Sequence, residues 1–238
     1  MVLFCFPYAG GSAAYYYSWE KFINRTIKVY PVELAGHGKR FDELHYSSLD
    51  VAINDLYEII EKNINYDDYA LFGHSMGSHL AYYVAQKVIS EGKKTPKHIF
   101  FSGLYPPYII KDEKIIHTLP DEEFIKEIIA LGGIPNELKM RKELLKVFIP
   151  ILKSDYKLMG NRNIKRFREN NKFECDITIF SGINDEKVPF NDIQHWGEST
   201  TGRFEHYQFI GGHFFINNHF PEIIQIINKT LDYKEQTQ

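Results

Sequence analysis

The chain has 238 residues, 44% of them hydrophobic and 25% charged, which fits one α/β domain with a sizeable core. The formal net charge of −3 argues against a protein dedicated to binding nucleic acid or an anionic membrane surface. The N-terminal residues lack the basic start of a signal peptide, and no stretch reaches the roughly 18 consecutive apolar residues of a membrane span. We therefore expect a cytoplasmic protein.

Short apolar runs alternate with helical patterns along the chain. Strands are predicted at Val2–Phe6, Ile27–Glu33, Asp68–Phe72, Lys97–Ser102, Asp176–Ser181 and Phe204–Ile210. Helices are predicted at Leu49–Ile64, Met76–Ser90, Ile193–Ser199 and Pro221–Leu231. This alternation predicts right-handed βαβ units, and thus an α/β fold whose mostly parallel central sheet has helices on both faces.

The segment from about residue 104 to 173 interrupts the alternation. It contains no convincing strand, and its patterns predict helices near Asp121–Leu131 and Asn136–Met159, with Pro150 expected to kink or split the second. A connection of this length is too long for a simple loop. We expect a helical insertion within a single domain that spans residues 1–238.

Two cysteines, Cys5 and Cys175, lie far apart in the sequence. Both fall at or beside predicted core strands, where cysteine usually acts as a small apolar residue. We expect two thiols and no disulfide framework.

The strongest local signal is the sequence Gly73-His74-Ser75-Met76-Gly77, which follows a predicted strand and opens a predicted helix. A G-x-S-x-G motif in this context places a serine on a sharp strand-to-helix turn, with its hydroxyl exposed and the glycines pressed against neighbouring backbone. Ser75 is therefore the candidate nucleophile. The alternative is a serine that only caps an ordinary glycine-flanked turn.

A serine nucleophile needs a general base and an acid that orients it, in the chain order Ser, acid, His. His213 follows the last predicted strand in Gly211-Gly212-His213 and is the candidate base, and Asp185 follows the preceding strand and is the candidate acid. Glu186 is the rival acid, and Asp185 also fits an Asx turn or a helix cap. The competing histidines are His74, inside the motif, His79, which we expect to be structural, and His195, His206 and His219.

An oxyanion hole needs two backbone N–H groups, one from the residue after the nucleophile and one from the loop after the first strand. Met76 supplies the first, and Ala9 is the candidate for the second, with Tyr8 as the next choice. Gly10-Gly11 in this loop is also consistent with a simple turn. We assign His37 a structural role, and no spacing typical of a metal site or a nucleotide-binding loop occurs, so no cofactor is expected.

Several longer motifs are similar to those of the type II thioesterases that accompany non-ribosomal peptide and polyketide synthases. The matching segments are Leu3–Ser12, Trp19, Gly36–Gly38, Leu71–Gly77, Leu119–Asp121, Leu131–Pro135, Ser154–Tyr156 and Gly211–Phe215. The resemblance implies an α/β-hydrolase fold with a helical lid over the site. It also implies hydrolysis of aberrant acyl or aminoacyl thioesters on the 4'-phosphopantetheine arm of a carrier domain. The family's nucleophile, acid and base correspond to Ser75, Asp185 and His213, and its oxyanion groups to Ala9 and Met76.

The helical insertion carries two further features. Its apolar stripes, Phe124/Ile125/Ile128/Ile129 and Leu144/Leu145/Phe148/Leu152, are expected to bury the insertion on the body of the protein or, in part, to line an acyl channel. Residues 139–172 hold eleven Lys or Arg and three acids, a net +8, so that the chain total of −3 leaves −11 for the rest. We hypothesise that Lys142, Lys146 and Arg166 help to dock an acidic carrier domain, against the alternative of a merely solvated helix face.

Three other functions remain open at the level of sequence. The chain fits a small-molecule carboxylesterase with the same triad, a chain-terminating thioesterase of fatty acid synthesis, or an inactive hydrolase used as a binding module. We expect a monomer that binds neither nucleic acid nor membrane.

Overall fold

The computed structural model describes residues 1–64, 68–109, 111, 114–130, 132, 142–160 and 172–235. Within these residues, six strands form one sheet in the order β2-β1-β3-β4-β5-β6. The strands are β1 (Val2–Phe6), β2 (Lys28–Pro31), β3 (Tyr69–His74), β4 (His98–Ser102), β5 (Asp176–Gly182) and β6 (Phe204–Phe209). Each neighbouring pair is parallel, so the carboxyl ends of the strands lie at one edge of the sheet.

Helices connect the strands. The α-helices are α1 (Leu49–Ile64), α2 (Met76–Ser90), α3 (Asp121–Ala130), α4 (Lys142–Gly160), α5 (Phe190–Gln194) and α6 (Ile216–Glu235), and 3₁₀ helices occupy Ala13–Lys21, Gly38–Arg40 and His195–Ser199. Among the described residues, no helix combines the length and the apolar character that crossing a bilayer requires.

The sheet is covered on both faces because successive side chains of each strand point to opposite sides. On one face, Phe4 and Leu71 pack with the apolar residues of α1 and α2, and Trp196 lies in the same cluster. On the other face, Leu3 and Phe72 pack with the first 3₁₀ helix and with α6. The expected sheet with helices on both faces is confirmed.

Most element bounds follow the sequence pattern, and three differ clearly. The predicted helix Ile193–Ser199 is instead α5 followed by a 3₁₀ helix over His195–Ser199. Helices α1 and α2 have the predicted bounds. Strand β2 is shorter than predicted. Helix α6 begins at Ile216 rather than at Pro221, which lies inside the helix.

Pro150 does not split its helix, so that part of the expectation is wrong. Helix α4 runs from Lys142 to Gly160 with Pro150 inside it. Pro150 is exposed, so water can solvate the helix carbonyl that a proline leaves without its N–H partner. On either side, Ile149 and Leu152 are buried, and this packing holds both halves of the helix in place.

The helices between β4 and β5 have a small apolar core of their own. Phe124 and Ile128 of α3 pack with Ile149 and Leu152 of α4, apart from the two clusters that cover the sheet. The expectation that both stripes bury the insertion directly on the body is therefore wrong in part, because the two helices bury much of their apolar surface against each other. Leu144, expected in the buried stripe, is 43% exposed.

The two cysteines are thiols and form no disulfide, as predicted. Cys5 is buried in the cluster on one face of the sheet. Cys175 packs against the cluster on the opposite face. The sheet therefore separates them.

Candidate active site

Ser75 lies on the turn between β3 and α2 in a backbone conformation that L-amino acids rarely adopt. Its φ is 53° and its ψ is −121°, and among the described residues it is the one non-glycine residue with positive φ. The Ser75 N–H donates to the Ser102 carbonyl at 2.8 Å. This hydrogen bond fixes the turn to the end of the neighbouring strand β4 and presents the serine at the carboxyl edge of the sheet.

The two glycines of the motif allow this turn to form. A Cβ atom on Gly73 would lie 2.1 Å from the Gly77 carbonyl oxygen, and one on Gly77 would lie 2.3 Å from the Phe6 carbonyl oxygen. Both contacts are with backbone, which cannot rotate away as a side chain can. The close packing expected from the motif spacing is thus present between the turn, helix α2 and the end of β1.

A hydrogen-bonded chain links the three side chains that the sequence singled out. His213 Nε2 lies 2.8 Å from Ser75 Oγ, and His213 Nδ1 lies 2.7 Å from Asp185 Oδ2. The Asp185 side chain is 3% exposed and that of His213 is 13% exposed. Asp185 follows β5 and His213 follows β6, so the sheet topology brings residues 138 positions apart into contact.

The second carboxylate oxygen of Asp185 also has a partner. Oδ1 accepts the Lys187 N–H at 3.2 Å, so the carboxylate is held from two sides. Glu186, the rival acid, is exposed. The structure therefore brings Asp185, and not Glu186, to the imidazole.

The other histidines considered from sequence have different surroundings. His79 Nε2 lies 2.9 Å from the Tyr105 carbonyl, and His206 Nε2 lies 2.7 Å from Ser181 Oγ. His195 pairs with Glu198, and His219 lies beside the Ile210 carbonyl.

His74 lies directly beside the hydrogen-bonded chain. Its ring centroid is 5.5 Å from that of His213, and Nδ1 lies 2.9 Å from Ser102 Oγ. Burial, reinforced by the neighbouring His213, holds the pKa of His74 well below its ordinary value. His74 therefore stays neutral near pH 7 and places no positive charge beside His213.

Some N–H groups of the loop after β1 donate to protein acceptors and others do not. The Gly11 N–H donates to the Tyr8 carbonyl at 2.8 Å, and the Gly10 N–H donates to Asp155 Oδ2 at 2.7 Å. Within the described residues, the Ala9 N–H donates to no protein acceptor. The Met76 N–H belongs to the first turn of α2, whose N–H groups have no acceptor within the helix. The N–H groups of Ala9 and Met76, predicted from the sequence as oxyanion donors, therefore have no protein acceptor among the described residues.

The proposed docking residues are described only in part. Lys146 is exposed on α4, whereas Arg166 and the side chain of Lys142 lie outside the described residues. The positive charge of α4 does not all face solvent as a docking surface, because Lys153 is paired with Asp121 at 2.6 Å.

Sequence reasoning missed a contact between α4 and the loop after β1. Asp155 is 3% exposed and binds both Gly10 and His37, contacts that neither its place in a basic segment nor the family-like segment Ser154–Tyr156 predicts. A signal was present, because Asp155 is three residues beyond Leu152 and seven beyond Phe148 and so shares their apolar helix face. An acid on that face predicts a specific buried partner.

A parallel sheet that carries a serine on a strand-to-helix turn, followed by an acid and a histidine at later strand ends, defines the serine-type α/β-hydrolases. A family model described as a thioesterase domain matches residues 2–231. The chain belongs to the thioesterase family and is a hydrolase acting on thioesters.

Individual relatives are similar to this chain over at least 90% of its length. The gramicidin S biosynthesis protein GrsT of Aneurinibacillus migulanus is 33% identical over 96% of this chain and 88% of its own length. The medium-chain S-acyl fatty acid synthase thioesterase of Rattus norvegicus is 31% identical over 90% of this chain and 81% of its own. The crystal structure of ClbQ from the colibactin NRPS/PKS pathway superposes with a TM-score of 0.94 at 35% identity, covering 100% of this chain and 99% of that one. The resemblance and the fold class read from the sequence are confirmed.

Proposed function

We propose that this protein is a serine thioesterase that removes aberrant acyl or aminoacyl groups from the phosphopantetheine arm of carrier domains in peptide or polyketide synthases. The observation that carries the proposal is the chain of hydrogen bonds from Ser75 through His213 to Asp185 at the carboxyl edge of the sheet. The biosynthetic context of GrsT and ClbQ supports the choice of substrate.

In the first half of the reaction, Ser75 Oγ attacks the thioester carbonyl while His213 Nε2 takes the hydroxyl proton. Asp185 holds the ring through Nδ1 and stabilises the imidazolium that forms. The tetrahedral intermediate then collapses, the carbon–sulfur bond breaks, and His213 donates the proton to the leaving thiolate. The products are an acyl-serine and the free thiol of the arm.

In the second half, a water molecule replaces the thiol. His213 Nε2 takes a proton from the water as it attacks the acyl-serine, and a second tetrahedral intermediate forms. Its collapse breaks the bond to Ser75 Oγ, which regains its proton from His213, and releases a carboxylic acid. In both halves the N–H groups of Met76 and Ala9 donate to the oxyanion, a role in which one donor is typically worth roughly 10²–10³ in kcat.

We propose further that the whole chain is one hydrolase domain and that its segment from about 104 to 173 acts as a lid. Two contacts near the site support this role. Phe148 and Leu152 of α4 contact Gly10 in the loop after β1, and Gly132 lies near Phe214, next to His213.

The direct test uses purified carrier domain loaded with an acyl or aminoacyl group. Wild-type protein releases the free thiol of the arm, and Ser75→Ala lowers this turnover by roughly 10⁶-fold. Mass spectrometry of the carrier follows the loss of the acyl group. Turnover by Ser75→Ala at the wild-type rate contradicts the proposed nucleophile, and failure of wild type to discharge any loaded carrier contradicts the proposed function.

A second candidate function is chain termination in fatty acid synthesis, which the rat medium-chain relative favours. A series of acyl-carriers from acetyl to medium-chain length separates the two functions. An editing enzyme discharges short acyl and aminoacyl groups, whereas a chain terminator strongly prefers medium chains. A marked preference for p-nitrophenyl esters over both favours a carboxylesterase instead.

Carrier docking by Lys142, Lys146 and Arg166 stays a proposal. Reversing these three charges lowers kcat/KM for an acidic acyl-carrier at low salt, because oppositely charged surfaces accelerate association. The matched control reverses Arg25, Lys28 and Lys229, three exposed bases elsewhere on the protein. Equal kcat/KM values for wild type and the docking variant contradict the proposal.

We also propose that the enzyme is a monomer and works in the cytoplasm. Sedimentation of the purified chain tests the first statement, and fractionation of the producing cells tests the second.

A further inference from the structure

One carboxylate oxygen on helix α4 binds two separate loops of the body. Asp155 Oδ2 accepts the Gly10 N–H at 2.7 Å and lies 3.0 Å from His37 Nε2. The side chains of Asp155 and His37 are 5% and 3% exposed. Little water reaches this junction, so the two contacts fix α4 against both loops.

The geometry indicates that His37 is positively charged. His37 Nδ1 lies 3.0 Å from the Ala35 carbonyl, and Nε2 faces the Asp155 carboxylate. Both ring nitrogens thus face acceptors, and only the imidazolium donates from both. Asp155 and His37 therefore form a buried ion pair, and the Gly10 N–H donates a second hydrogen bond to the same carboxylate oxygen.

Apolar contacts reinforce the same junction. Gly10 has a φ of +73°, and a Cβ atom on it would lie 2.5 Å from Leu152 Cδ2 and 3.3 Å from Phe148 Cε1. Helix α4 therefore packs directly on the backbone of Gly10. The loop is held by β1 on one side and by α4 on the other, with Ala9 between these two anchors.

We infer that Asp155 is a positioning residue, which holds Gly10 so that the Ala9 N–H stands at the oxyanion position when α4 is seated on the body. This inference rests on the proposed function, because it assigns Asp155 a role in the oxyanion hole of that site. Seating of α4 and formation of the hole are then one event. An open lid leaves the loop without its anchor and the hole incomplete.

The charge of His37 makes this junction dependent on pH. The groups that face His37 are Asp155 from α4, Glu33 and the Ala35 carbonyl from the segment after β2, and the ring of His45, whose centroid is 5.9 Å away. When His37 loses the proton on Nε2, the lone pair of that nitrogen faces the Asp155 carboxylate and the hydrogen bond between them is lost. The junction is therefore weaker above the pKa of His37 than below it.

The test measures hydrolysis of a small acyl-pantetheine thioester, which needs no carrier docking, together with thermal stability. Asp155→Ala lowers kcat by roughly 10²-fold, close to the loss of one oxyanion donor, and leaves KM nearly unchanged. The matched control is Lys153→Met, which removes an ion pair within the insertion without touching the loop and keeps the wild-type kcat. Ser75→Ala, run in parallel, is inactive.

Asp155→Asn separates positioning from general support of the fold. The amide oxygen still accepts the Gly10 N–H, so kcat recovers toward wild type below the pKa of His37. Because the negative charge is gone, the pKa of His37 falls relative to wild type, which NMR titration measures. The loss of kcat with rising pH therefore begins at a lower pH than in wild type. A merely structural role changes stability without moving this pH profile.

Two results overturn the inference. One is an Asp155→Ala protein with wild-type kcat on the small thioester. The other is a loss that appears only as a raised KM, which assigns Asp155 to substrate binding. If wild type discharges no loaded carrier, the proposed function itself fails, and if Ser75→Ala retains full activity, the proposed nucleophile fails; both outcomes are distinct from a failure confined to Asp155.

Discussion

Gly77→Ala tests whether the close packing behind Ser75 sets both stability and rate. The added Cβ lies 2.3 Å from the Phe6 carbonyl oxygen and 2.8 Å from the Pro7 carbonyl oxygen. An ordinary contact needs about 3.4 Å or more, so helix α2 and the end of β1 must separate by about 1 Å. That strand end leads into the loop that carries Ala9.

The expected change in the free energy of unfolding is the sum of two opposing effects. Overpacking against backbone costs about 3 kcal/mol, the upper end of the usual range, because neither partner can rotate away. Replacing glycine by alanine in a helix returns about 1 kcal/mol. The free energy of unfolding therefore falls by about 2 kcal/mol, which for a chain of this size lowers Tm by roughly 4–8 °C. The displacement of about 1 Å between Ser75 and the oxyanion loop costs roughly 10²-fold in kcat.

The assay combines thermal denaturation with steady-state hydrolysis of a small acyl-pantetheine thioester. The matched control is Gly197→Ala, because a Cβ atom there meets the Phe204 ring at 3.7 Å, an ordinary contact. The control keeps the wild-type Tm and kcat to within experimental error. A Gly77→Ala protein with wild-type Tm and kcat refutes the reasoning, since the added carbon then finds room that the structure does not contain.

Three further predictions follow from the site and its surroundings. Asp185→Asn keeps the shape of the acid but removes the charge that stabilises the imidazolium, so kcat falls roughly 10⁴-fold, whereas the exposed Glu186→Gln stays near wild type in the same kinetic assay. Burial raises the pKa of the Cys5 thiol well above its ordinary value, so mass spectrometry detects no maleimide on Cys5 until denaturant is added, and rapid labelling of the native protein contradicts its burial. Burial lowers the pKa of His37, but the hydrogen bond and charge of Asp155 outweigh burial and raise it overall. This ion pair stabilises the fold fully below the ordinary imidazole pKa of about 6.5 and loses its effect as the pH rises through the raised pKa. The difference in Tm between wild type and His37→Gln therefore narrows with rising pH. A difference that widens with rising pH contradicts a raised pKa of His37.

The sequence predicts those parts of the molecule that local patterns determine. Helix α1 has its predicted bounds because Leu49, Ile53, Leu56, Ile60 and Ile64 recur at helical spacing and are all buried. The turn at Ser75 follows from two glycines that backbone contacts require. Chain order and strand ends then suffice to select Asp185 and His213.

Contacts between distant segments are not encoded in local patterns. Asp155 binds Gly10 across 145 positions and His37 across 118, and neither spacing is a recognisable motif. The surface against which the apolar stripes on α3 and α4 pack also depends on tertiary structure, because a helical stripe shows which face is buried but not its partner. Pro150 is tolerated for the same kind of reason, since exposure on the outer face decides whether a proline breaks a helix.

The backbone of Ser75 has a consequence for the history of sequences of this kind. A conformation with φ of 53° costs a side chain on the order of 1–3 kcal/mol, and glycine relieves that strain. The free energy of unfolding of a natural domain is only about 5–15 kcal/mol. Selection for thermodynamic stability alone would thus favour glycine at position 75. Serine is retained at this position only while selection also maintains hydrolysis. A descendant that has lost its substrate is expected to lose this residue early, and to gain thermal stability when it does.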